Sequence, residues 1–243
     1  MITLKTSALR MIKVVFFDWF NTLAHYEPPR HRLHSQACRE SGIDISPDAI
    51  VRGVLLADEY FFEENIKSPV EKRAPEEKNE VYTRYQEMVL TEAGVKFTRE
   101  QLMQVMAKVH QLFKGVGWAL FDDVISTLEA LKQRNLILGM LTNASKDLVS
   151  VYHQLGLEPY LDFVVTSEEA GSDKPRPPIF LMALERSGAT ASEVIHVGDQ
   201  YRIDIVGARG VGISPVLIDR LNLHPDFTEC LRIRTLAEII EYV

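Results

Sequence analysis

The sequence predicts an α/β protein in which a doubly wound parallel sheet carries an inserted all-helical domain. Three observations support this. Residues 14–17 form a short, wholly apolar run, typical of a strand buried on both faces of a sheet. From residue 118 onward, predicted helices and strands alternate, which indicates parallel strands joined by right-handed crossovers. The block between these two parts shows helical periodicity only.

The first predicted strand ends at Asp18, and Asn21 and Thr22 after it favour a turn. Asp18 is therefore expected at the carboxyl end of a strand, where open α/β sheets bind their ligands. A carboxylate there can be a nucleophile, a metal ligand, or only a cap for the following turn. The strand by itself does not choose among these roles.

The inserted helical block follows a predicted linker over residues 24–29, which ends in two prolines. Its second helix is expected to begin with Ser46 as N-cap and Pro47 in the first turn. Its fourth helix is expected to begin at a capping box formed by Thr98 and Gln101. The predicted helices cover residues 30–42, 47–66, 77–93 and 98–113.

The elements after the insertion are predicted from short apolar runs that alternate with amphipathic segments. The predicted strands are residues 136–141, 163–166, 194–197 and 215–218, and the predicted helices are residues 122–134, 143–155, 177–187, 203–209 and 236–242. The sequence therefore predicts two domains. Residues 11–25 and 114–243 form the α/β core, and residues 26–113 form the helical insertion.

Polar residues follow several of the predicted strands, and parallel strands place their carboxyl ends at one edge of the sheet. We therefore expect these side chains to converge. They are Asp18, Thr142, Asn143, Lys174, Asp199 and Asp204. Three carboxylates with one lysine leave an excess of negative charge. A divalent cation that prefers oxygen ligands, such as Mg²⁺, is the expected complement.

Four motifs in this order resemble those of the haloacid dehalogenase (HAD) superfamily. They are Phe-Phe-Asp18-x-x-x-Thr22-Leu, Leu-Thr142-Asn143, Lys174-Pro-x-Pro and Gly198-Asp199-x-x-x-x-Asp204. Each motif alone is common in loops, but the four in order, with a helical insertion after the first, are specific. The resemblance implies a Rossmann-like core and a helical cap domain that closes over the site, excludes water and selects the substrate.

The resemblance also implies roles for these residues. Asp18 is expected to be the catalytic nucleophile and to form a covalent aspartyl intermediate. Thr142 and Asn143 would bind the transferring phosphoryl group, and Lys174 would balance the charge between nucleophile and substrate. Amide groups of the predicted helix beginning near Ala144 would add to this anion site.

The metal site implied by the resemblance contains Mg²⁺ as cofactor. Its expected ligands are Asp18, the backbone carbonyl of Phe20 and Asp199, with Asp204 as a further ligand or as a contact of one. A phosphoryl group approaching an anionic Asp18 would be repelled unless a cation screened the charge. The physical argument and the resemblance therefore agree on a cation at this place.

The sequence departs from most phosphatases of this family at Phe20, where they carry an aspartate as general acid and base. A phenyl ring cannot protonate a leaving group, and the loss of this assistance typically costs about 10²–10⁴-fold in rate. One hypothesis is therefore a phosphatase limited to good leaving groups, or assisted by a group such as His25. The backbone carbonyl at position 20 would still be available to a metal.

Two other hypotheses remain open at this stage. A 2-haloacid dehalogenase needs no proton for its leaving halide, and Arg30 or Arg32 could bind that halide or a carboxylate. A non-catalytic protein could retain the scaffold and bind metal or phosphate without turnover. The acid at Asp199 favours metal and phosphate chemistry, because its charge beside Asp18 would otherwise weaken the nucleophile.

The composition restricts the partners. A net charge of −7 disfavours nucleic acid, and no long apolar segment predicts a membrane span, so a small-molecule substrate is the expected partner. The oligomeric state does not follow from the periodicity. Cys38 and Cys230 are widely separated and interpreted as reduced thiols of a cytoplasmic protein. Met11 is an alternative start, which would leave residues 1–10 as an extension without signal-peptide character.

Overall fold

The structure is a computed structural model that describes residues 11–145 and 147–243. The interpretation of residues 1–10 as an extension therefore lies outside the described residues. The chain divides into two compact units. One combines the segment up to His25 with Ala119–Val243, and the other is Tyr26–Trp118. The second unit thus extends beyond residue 113, where the predicted insertion ended.

The strands of the described residues are β1 (Val14–Phe17), β2 (Ala24–Glu27), β3 (Gly117–Leu120), β4 (Ile137–Thr142), β5 (Phe163–Thr166), β6 (Val194–Gly198), β7 (Ser214–Ile218) and β8 (Leu231–Ile233). Six of them form one sheet in the order β5-β4-β1-β6-β7-β8, and β2 pairs with β3. All neighbours in the large sheet are parallel. The predicted α/β fold with a parallel sheet and flanking helices is confirmed.

The α-helices are α1 (Arg30–Glu40), α2 (Pro47–Lys67), α3 (Pro75–Glu92), α4 (Arg99–Phe113), α5 (Val124–Gln133), α6 (Leu148–Gln154), α7 (Ser167–Ala170), α8 (Pro177–Ser187) and α9 (Val206–Gly210). Short 3₁₀ helices cover Val70–Lys72, Ala191–Glu193 and Leu236–Tyr242, and a π-helical turn covers Tyr201–Ile205. None of the helices in the described part of the chain combines the length and apolar character that crossing a bilayer requires.

The central strand β1 is fully buried, as its apolar sequence predicts. One cluster of its unit's core contains Val14 and Phe16 with side chains from β4, β5, α8, β6 and α9. Gly207, in α9, lies where a Cβ atom would approach the Phe180 ring to 2.7 Å, so only glycine lets these helices pack so closely. This packing fixes the segment that follows β6 against the sheet.

The second unit has its own apolar core, formed by α1 to α4. The expected caps are present: the Ser46 side chain accepts a hydrogen bond from the Ala49 amide at 3.2 Å, and Thr98 and Gln101 form a capping box. These contacts satisfy amide groups that the first turn of a helix leaves without partners. The helix starts at positions 47 and 99 therefore follow from local sequence.

The prediction that residues 24–29 form a linker is wrong for its first four residues. Ala24–Glu27 is strand β2, which pairs with β3 in a separate two-stranded sheet. The prolines at 28 and 29 end this strand and do not prevent it, because they lie beyond its last residue. A four-residue strand is too short for alternation to reveal it.

Two predicted helices begin elsewhere. The helix expected from Asn143 begins at Leu148, and the helix expected from Ile203 is preceded by the π-helical turn that starts at Tyr201. Strand β8 and the short helix α7 were not predicted.

Candidate active site

The register of the sheet brings the expected polar residues to one edge. Phe17 of β1 lies beside Met140 of β4 and Val197 of β6, so the chain positions that follow each strand are neighbours. One carboxylate oxygen from each of Asp18, Asp199 and Asp204 lies within 4.8 Å of the others. Side chains that are far apart in sequence therefore meet at the carboxyl edge of the sheet.

Lys174 lies between two of these carboxylates. Its Nζ atom is 2.5 Å from Asp18 Oδ1 and 2.7 Å from Asp204 Oδ1, and the residue is 1% exposed. Burial lowers the pKa of Lys174, but the charges of Asp18 and Asp204 and their hydrogen bonds outweigh burial and leave the pKa raised. The lysine is therefore a permanent cation within the acidic cluster.

Asn143 holds the loop that carries this lysine. Its Oδ1 accepts from the Lys174 amide at 2.7 Å, and its Nδ2 donates to the Lys174 carbonyl at 2.9 Å. This double contact with the backbone occupies the amide that was expected to bind the transferring group. Thr142 ends β4 and is buried beside Thr166, at the same edge of the sheet as Asp18.

The prediction that amides of a helix beginning near Ala144 contribute to an anion site is wrong. Residues 143 and 144 form a bend and helix α6 begins at Leu148, so no helical turn begins at Ala144. The Asn143 side chain, which could have capped a helix at this position, is instead bonded to the backbone of Lys174. Of the predicted anion-binding residues that the structure describes, Thr142 and Lys174 have side chains that remain candidates for this role.

Asp204 lies in the π-helical turn after β6 and has several partners. Besides Lys174, its Oδ1 lies 3.0 Å from His196 Nε2, and its Oδ2 accepts from the Gln200 amide at 3.2 Å. Burial raises the pKa of Asp204, but the charge of Lys174 and the His196 hydrogen bond lower it to about 2. Asp204 is therefore a fixed anion.

His196 was missed by the sequence reasoning. It is fully buried in β6, and its ring contacts Phe180 in an edge-to-face arrangement with centroids 5.3 Å apart. Burial lowers its pKa, so the ring is neutral and its Nε2 can donate to Asp204. A single imidazole in an otherwise apolar strand, two residues before Gly198, was the signal available.

Gly198 is required by the close approach of Asp204. A Cβ atom at position 198 would lie 2.3 Å from Asp204 Cγ and 2.5 Å from its Oδ2. Any larger residue would therefore displace the carboxylate from Lys174 and His196. The glycine of the fourth motif has a steric role in this chain.

Asp199 has the most unfavourable environment of the three acids. Its Oδ1 is buried, and no described residue forms a hydrogen bond with it. Burial and the charges of Asp18 and Asp204 raise its pKa well above the usual range, and a hydrogen bond from the Asn21 side chain only partly opposes this. A buried carboxylate oxygen without a hydrogen-bond partner lowers the stability of the folded protein unless a cation binds to it.

The surroundings of Asp18 also disfavour its ionised form. Burial raises the pKa of Asp18, Lys174 lowers it, the charge of Asp204 raises it and the Trp19 amide lowers it, and together these effects leave the pKa at about 6. The cluster thus has three acids and one lysine, and Asp18, Asp204 and Lys174 are buried. Its excess negative charge, oxygen donors and unpartnered Asp199 Oδ1 fit a hard divalent cation such as Mg²⁺.

The remaining candidates are Phe20, His25 and Arg30. Phe20 follows Asp18 in a turn and forms a backbone bridge with Ala24. His25 is in β2, with its ring centroid 4.8 Å from that of Phe121. In the second unit, Arg30 NH2 lies 2.7 Å from both Asp58 Oδ1 and the Tyr85 hydroxyl, so these groups occupy one end of its guanidinium.

Residues 12–212 match the family model of haloacid dehalogenase-like hydrolases. This segment is most of the chain, and the protein belongs to that family. The resemblance inferred from the four motifs is therefore confirmed, and the chain belongs to the HAD superfamily.

Relatives include proteins with named activities. Haloacid dehalogenase-like hydrolase domain-containing protein 3 of Danio rerio is 39% identical over 46% of this chain and 46% of its own length. Ribulose-1,5-bisphosphate 5-phosphatase of Halopiger xanaduensis is 38% identical over 42% and 43%, respectively. Glyceraldehyde 3-phosphate phosphatase of Methanothermobacter thermautotrophicus is 29% identical over 86% of each chain. The chain thus spans less than half the length of the first two.

Solved structures share the fold. The HAD-hydrolase YfnB from Bacillus subtilis, described as bound to magnesium, has a TM-score of 0.64 at 20% identity and covers 95% of this chain and 98% of its own. The 2-haloacid dehalogenase from Pseudomonas syringae pv. Tomato has a TM-score of 0.55 at 26% identity, with 96% and 98% covered. Both phosphatase and dehalogenase chemistry therefore occur among proteins similar to this chain.

Proposed function

We propose that this protein is a Mg²⁺-dependent phosphatase that acts on a small phosphorylated molecule through an aspartyl-phosphate formed on Asp18. The observation that carries the proposal is the charge distribution of the site. Lys174 neutralises part of a cluster of three carboxylates, and Asp199 Oδ1 is buried without a partner among the described residues. Two relatives are named phosphatases, which supports the same chemistry.

The nucleophile is the carboxylate of Asp18. Its Oδ2 is the oxygen that attacks phosphorus in this scheme, because Lys174 occupies Oδ1. A new bond forms between that oxygen and phosphorus, and the bond from phosphorus to the leaving oxygen breaks with its electron pair. Water then attacks the phosphorus, restores the Asp18 carboxylate and releases inorganic phosphate.

The cationic part of the site would be shared. Mg²⁺, bound by Asp18, Asp199 and the Phe20 carbonyl with Asp204 as ligand or neighbour, would offset charge on the phosphoryl oxygens. Lys174 stays protonated and screens the repulsion between Asp18 and the approaching phosphate. Thr142, at the same edge of the sheet, would donate its hydroxyl to a phosphoryl oxygen, while Asn143 keeps the Lys174 loop in position.

Phe20 restricts the substrates. The position two residues after the nucleophile offers no proton to the departing oxygen, so a leaving group that is stable as an anion reacts best. We therefore propose phosphate esters of acidic hydroxyls, or acyl phosphates, as the substrate class.

A 2-haloacid dehalogenase is the second candidate, favoured by Phe20 and by the similarity to a dehalogenase structure. In that reaction Asp18 would displace halide from carbon, and the halide would need no proton. Asp199 counts against the dehalogenase. Burial and two neighbouring acids raise the pKa of Asp199 well above the usual range, and such a site favours a cation, which the dehalogenase reaction does not need. The pairing of Arg30 with Asp58 also weakens its assignment as a halide ligand.

The test is a comparison of two substrates. Purified protein is incubated with an aryl phosphate and with a 2-haloacid, each in Mg²⁺ and in a chelator. Phosphate release that stops in chelator supports the proposal, and halide release that ignores chelator would establish the dehalogenase. No release from either substrate would favour a non-catalytic binding protein.

A further inference from the structure

The loop that carries Asp18 accepts a hydrogen bond from the side chain of Arg220, which lies two residues beyond the end of β7. We define the nucleophile loop as residues 18–24. Arg220 Nη2 donates to the Thr22 carbonyl at 2.7 Å. We propose that Arg220, held by Asp123, is a positioning residue that sets the nucleophile loop for metal binding and catalysis.

The nucleophile loop is a compact turn with internal hydrogen bonds. The amides of Leu23 and Ala24 donate to the Trp19 carbonyl at 3.0 and 2.9 Å, and the Asn21 amide donates to the Ala24 carbonyl at 2.8 Å. Asn21 has a φ of 56°. Because the turn is bonded within itself, a contact at Thr22 moves or restrains the loop as one piece.

The loop carries several groups of the site at once. It begins with Asp18, and its Asn21 side chain is hydrogen-bonded to Asp199. It also contains Phe20, whose carbonyl we place among the metal ligands under the proposed function, on which this part of the inference rests. A shift of the loop by a fraction of an ångström would change the distances among all three groups.

Arg220 is itself rigidly held. Its Nη1 and Nη2 atoms lie 2.9 and 3.0 Å from the two carboxylate oxygens of Asp123, and the guanidinium carbon lies 3.9 Å above the centre of the Phe121 ring. The side chains of Arg220 and Asp123 are 14% and 20% exposed. A planar guanidinium in this two-bond contact, stacked on an aromatic ring, is a geometry that lysine cannot reproduce.

The backbone on both sides of the pair is fixed as well. Asp219, next to Arg220, accepts from the amides of Leu223 and His224 at 2.8 and 2.9 Å and pairs with Arg232 at 2.8 Å. Asp123 also accepts from the Leu236 amide at 2.7 Å. The hydrogen bond to Thr22 therefore comes from a preorganised donor, which is the condition under which a remote residue can position a site.

The experiment compares Arg220→Gln with a matched control, Arg186→Gln. Arg186 also donates to a backbone carbonyl, that of Val164 at 2.7 Å, and pairs with a carboxylate, but on a different strand. The first readout is hydrogen–deuterium exchange at Leu23 and Ala24 in metal-free protein. Arg220→Gln is expected to accelerate it roughly tenfold, the effect of one hydrogen bond from a charged group, and Arg186→Gln to leave it unchanged.

The second readout is Mg²⁺ affinity, measured by calorimetry, together with kcat and KM for an aryl phosphate. Arg220→Gln is expected to weaken Mg²⁺ binding and lower kcat roughly 10–100-fold with little change in KM, because outer contacts of a metal site act on this scale. Arg220→Lys keeps the charge but loses the two-bond contact with Asp123. Its Mg²⁺ affinity and kcat are expected to lie between those of the unsubstituted protein and those of Arg220→Gln. It also replaces Arg220→Gln if that variant fails to fold.

The outcomes separate the inference from the proposed function. Unchanged exchange at Leu23 and Ala24 in the Arg220 variants, or equal acceleration in Arg186→Gln, would overturn the positioning role. Faster exchange in the Arg220 variants, with neither Mg²⁺ binding nor turnover in the unsubstituted protein, would retain the positioning role and reject the phosphatase.

Discussion

The ammonium group of Lys174 lies 2.5 Å from Asp18 Oδ1 and 2.7 Å from Asp204 Oδ1, and these contacts link Asp18 to the turn after β6. Both pairs are buried, so each charge depends on its partners and not on water. The arrangement explains why a site with three acids can exist before any cation binds. It also leaves the cluster with more negative than positive charge.

Lys174→Met should therefore destabilise the metal-free protein severely. Removing one partner of a buried ion pair typically costs roughly 3–5 kcal/mol, because the other charge is left without compensation. We expect this loss in urea unfolding with chelator present, and a smaller loss with saturating Mg²⁺. The control is Lys132→Met, since Lys132 pairs with Asp162 at 2.8 Å on the surface, where such pairs contribute up to about 1 kcal/mol. Equal effects of the two substitutions would contradict this role of Lys174.

Asp199→Asn tests the cation directly. Without a metal, burial and two neighbouring acids disfavour the ionised form of Asp199, so its replacement should leave the metal-free protein at least as stable as before. Mg²⁺ at about 100 times its dissociation constant should stabilise the unsubstituted protein by about 2.7 kcal/mol, and Asp199→Asn should lose this gain. Thermal unfolding with Mg²⁺ and with chelator measures both effects.

The control for the metal test is Asp226→Asn, an exposed acid that removes the same charge. It should keep the full stabilisation by Mg²⁺. A gain from Mg²⁺ that survives in Asp199→Asn would place the cation elsewhere.

Phe20→Asp should extend the range of substrates. An aspartate at this position could protonate a poor leaving group, and general acid assistance is typically worth about 10²–10⁴-fold. We expect a gain of this order in kcat/KM for alkyl phosphates and a much smaller one for aryl phosphates. Phe20→Leu, which removes the ring without adding an acid, should show no gain. An alkyl phosphatase activity equally low in both variants would disprove the missing-acid explanation.

His34 should make stability depend on pH. Burial first, and then the charge of Arg30, lower the pKa of His34 from 6.5 to about 3. Between these values the unfolded chain takes up a proton that the folded protein does not, so stability is complete above pH 6.5 and falls as the pH decreases through this window. At pH 5 the contribution of His34 is a loss of about 2 kcal/mol relative to pH 7.5.

The His34 prediction is measured as the difference in the free energy of unfolding between pH 7.5 and pH 5. His34→Gln should reduce this difference by about 2 kcal/mol whatever its effect on absolute stability. His110→Gln, at an exposed position of α4, is the control and should preserve it. An unchanged pH dependence in His34→Gln would show that His34 is protonated at pH 5 in the folded protein as it is in the unfolded chain.

Much of the fold could be predicted from the sequence because its signals are local. The apolar run of β1, the Ser46 cap and the Thr98 capping box all act within a few residues, and each appears where expected. Strand β2 was missed because its partner β3 is about ninety residues away in sequence, so only tertiary pairing defines it.

The site was predictable as a set of residues but not as a network. The strand-end rule predicts that Asp18, Asp199 and Lys174 converge, and the structure brings their side chains to one edge of the sheet. It could not show that the Asn143 amide binds the Lys174 backbone, that His196 supports Asp204, or that Arg220 reaches Thr22. Such contacts depend on side-chain direction and on elements that meet only in the folded chain.

The most direct test of the central claim is to trap the covalent intermediate. The protein is mixed with an aryl phosphate and Mg²⁺, quenched in acid and digested, and the peptide that contains Asp18 is analysed by mass spectrometry. The expected result is a phosphoryl adduct on Asp18 that is absent in Asp18→Asn, in which turnover should fall on the order of 10⁴-fold or more. Phosphate release that continues in Asp18→Asn, or an adduct on another residue, would contradict the assignment of Asp18 as the nucleophile.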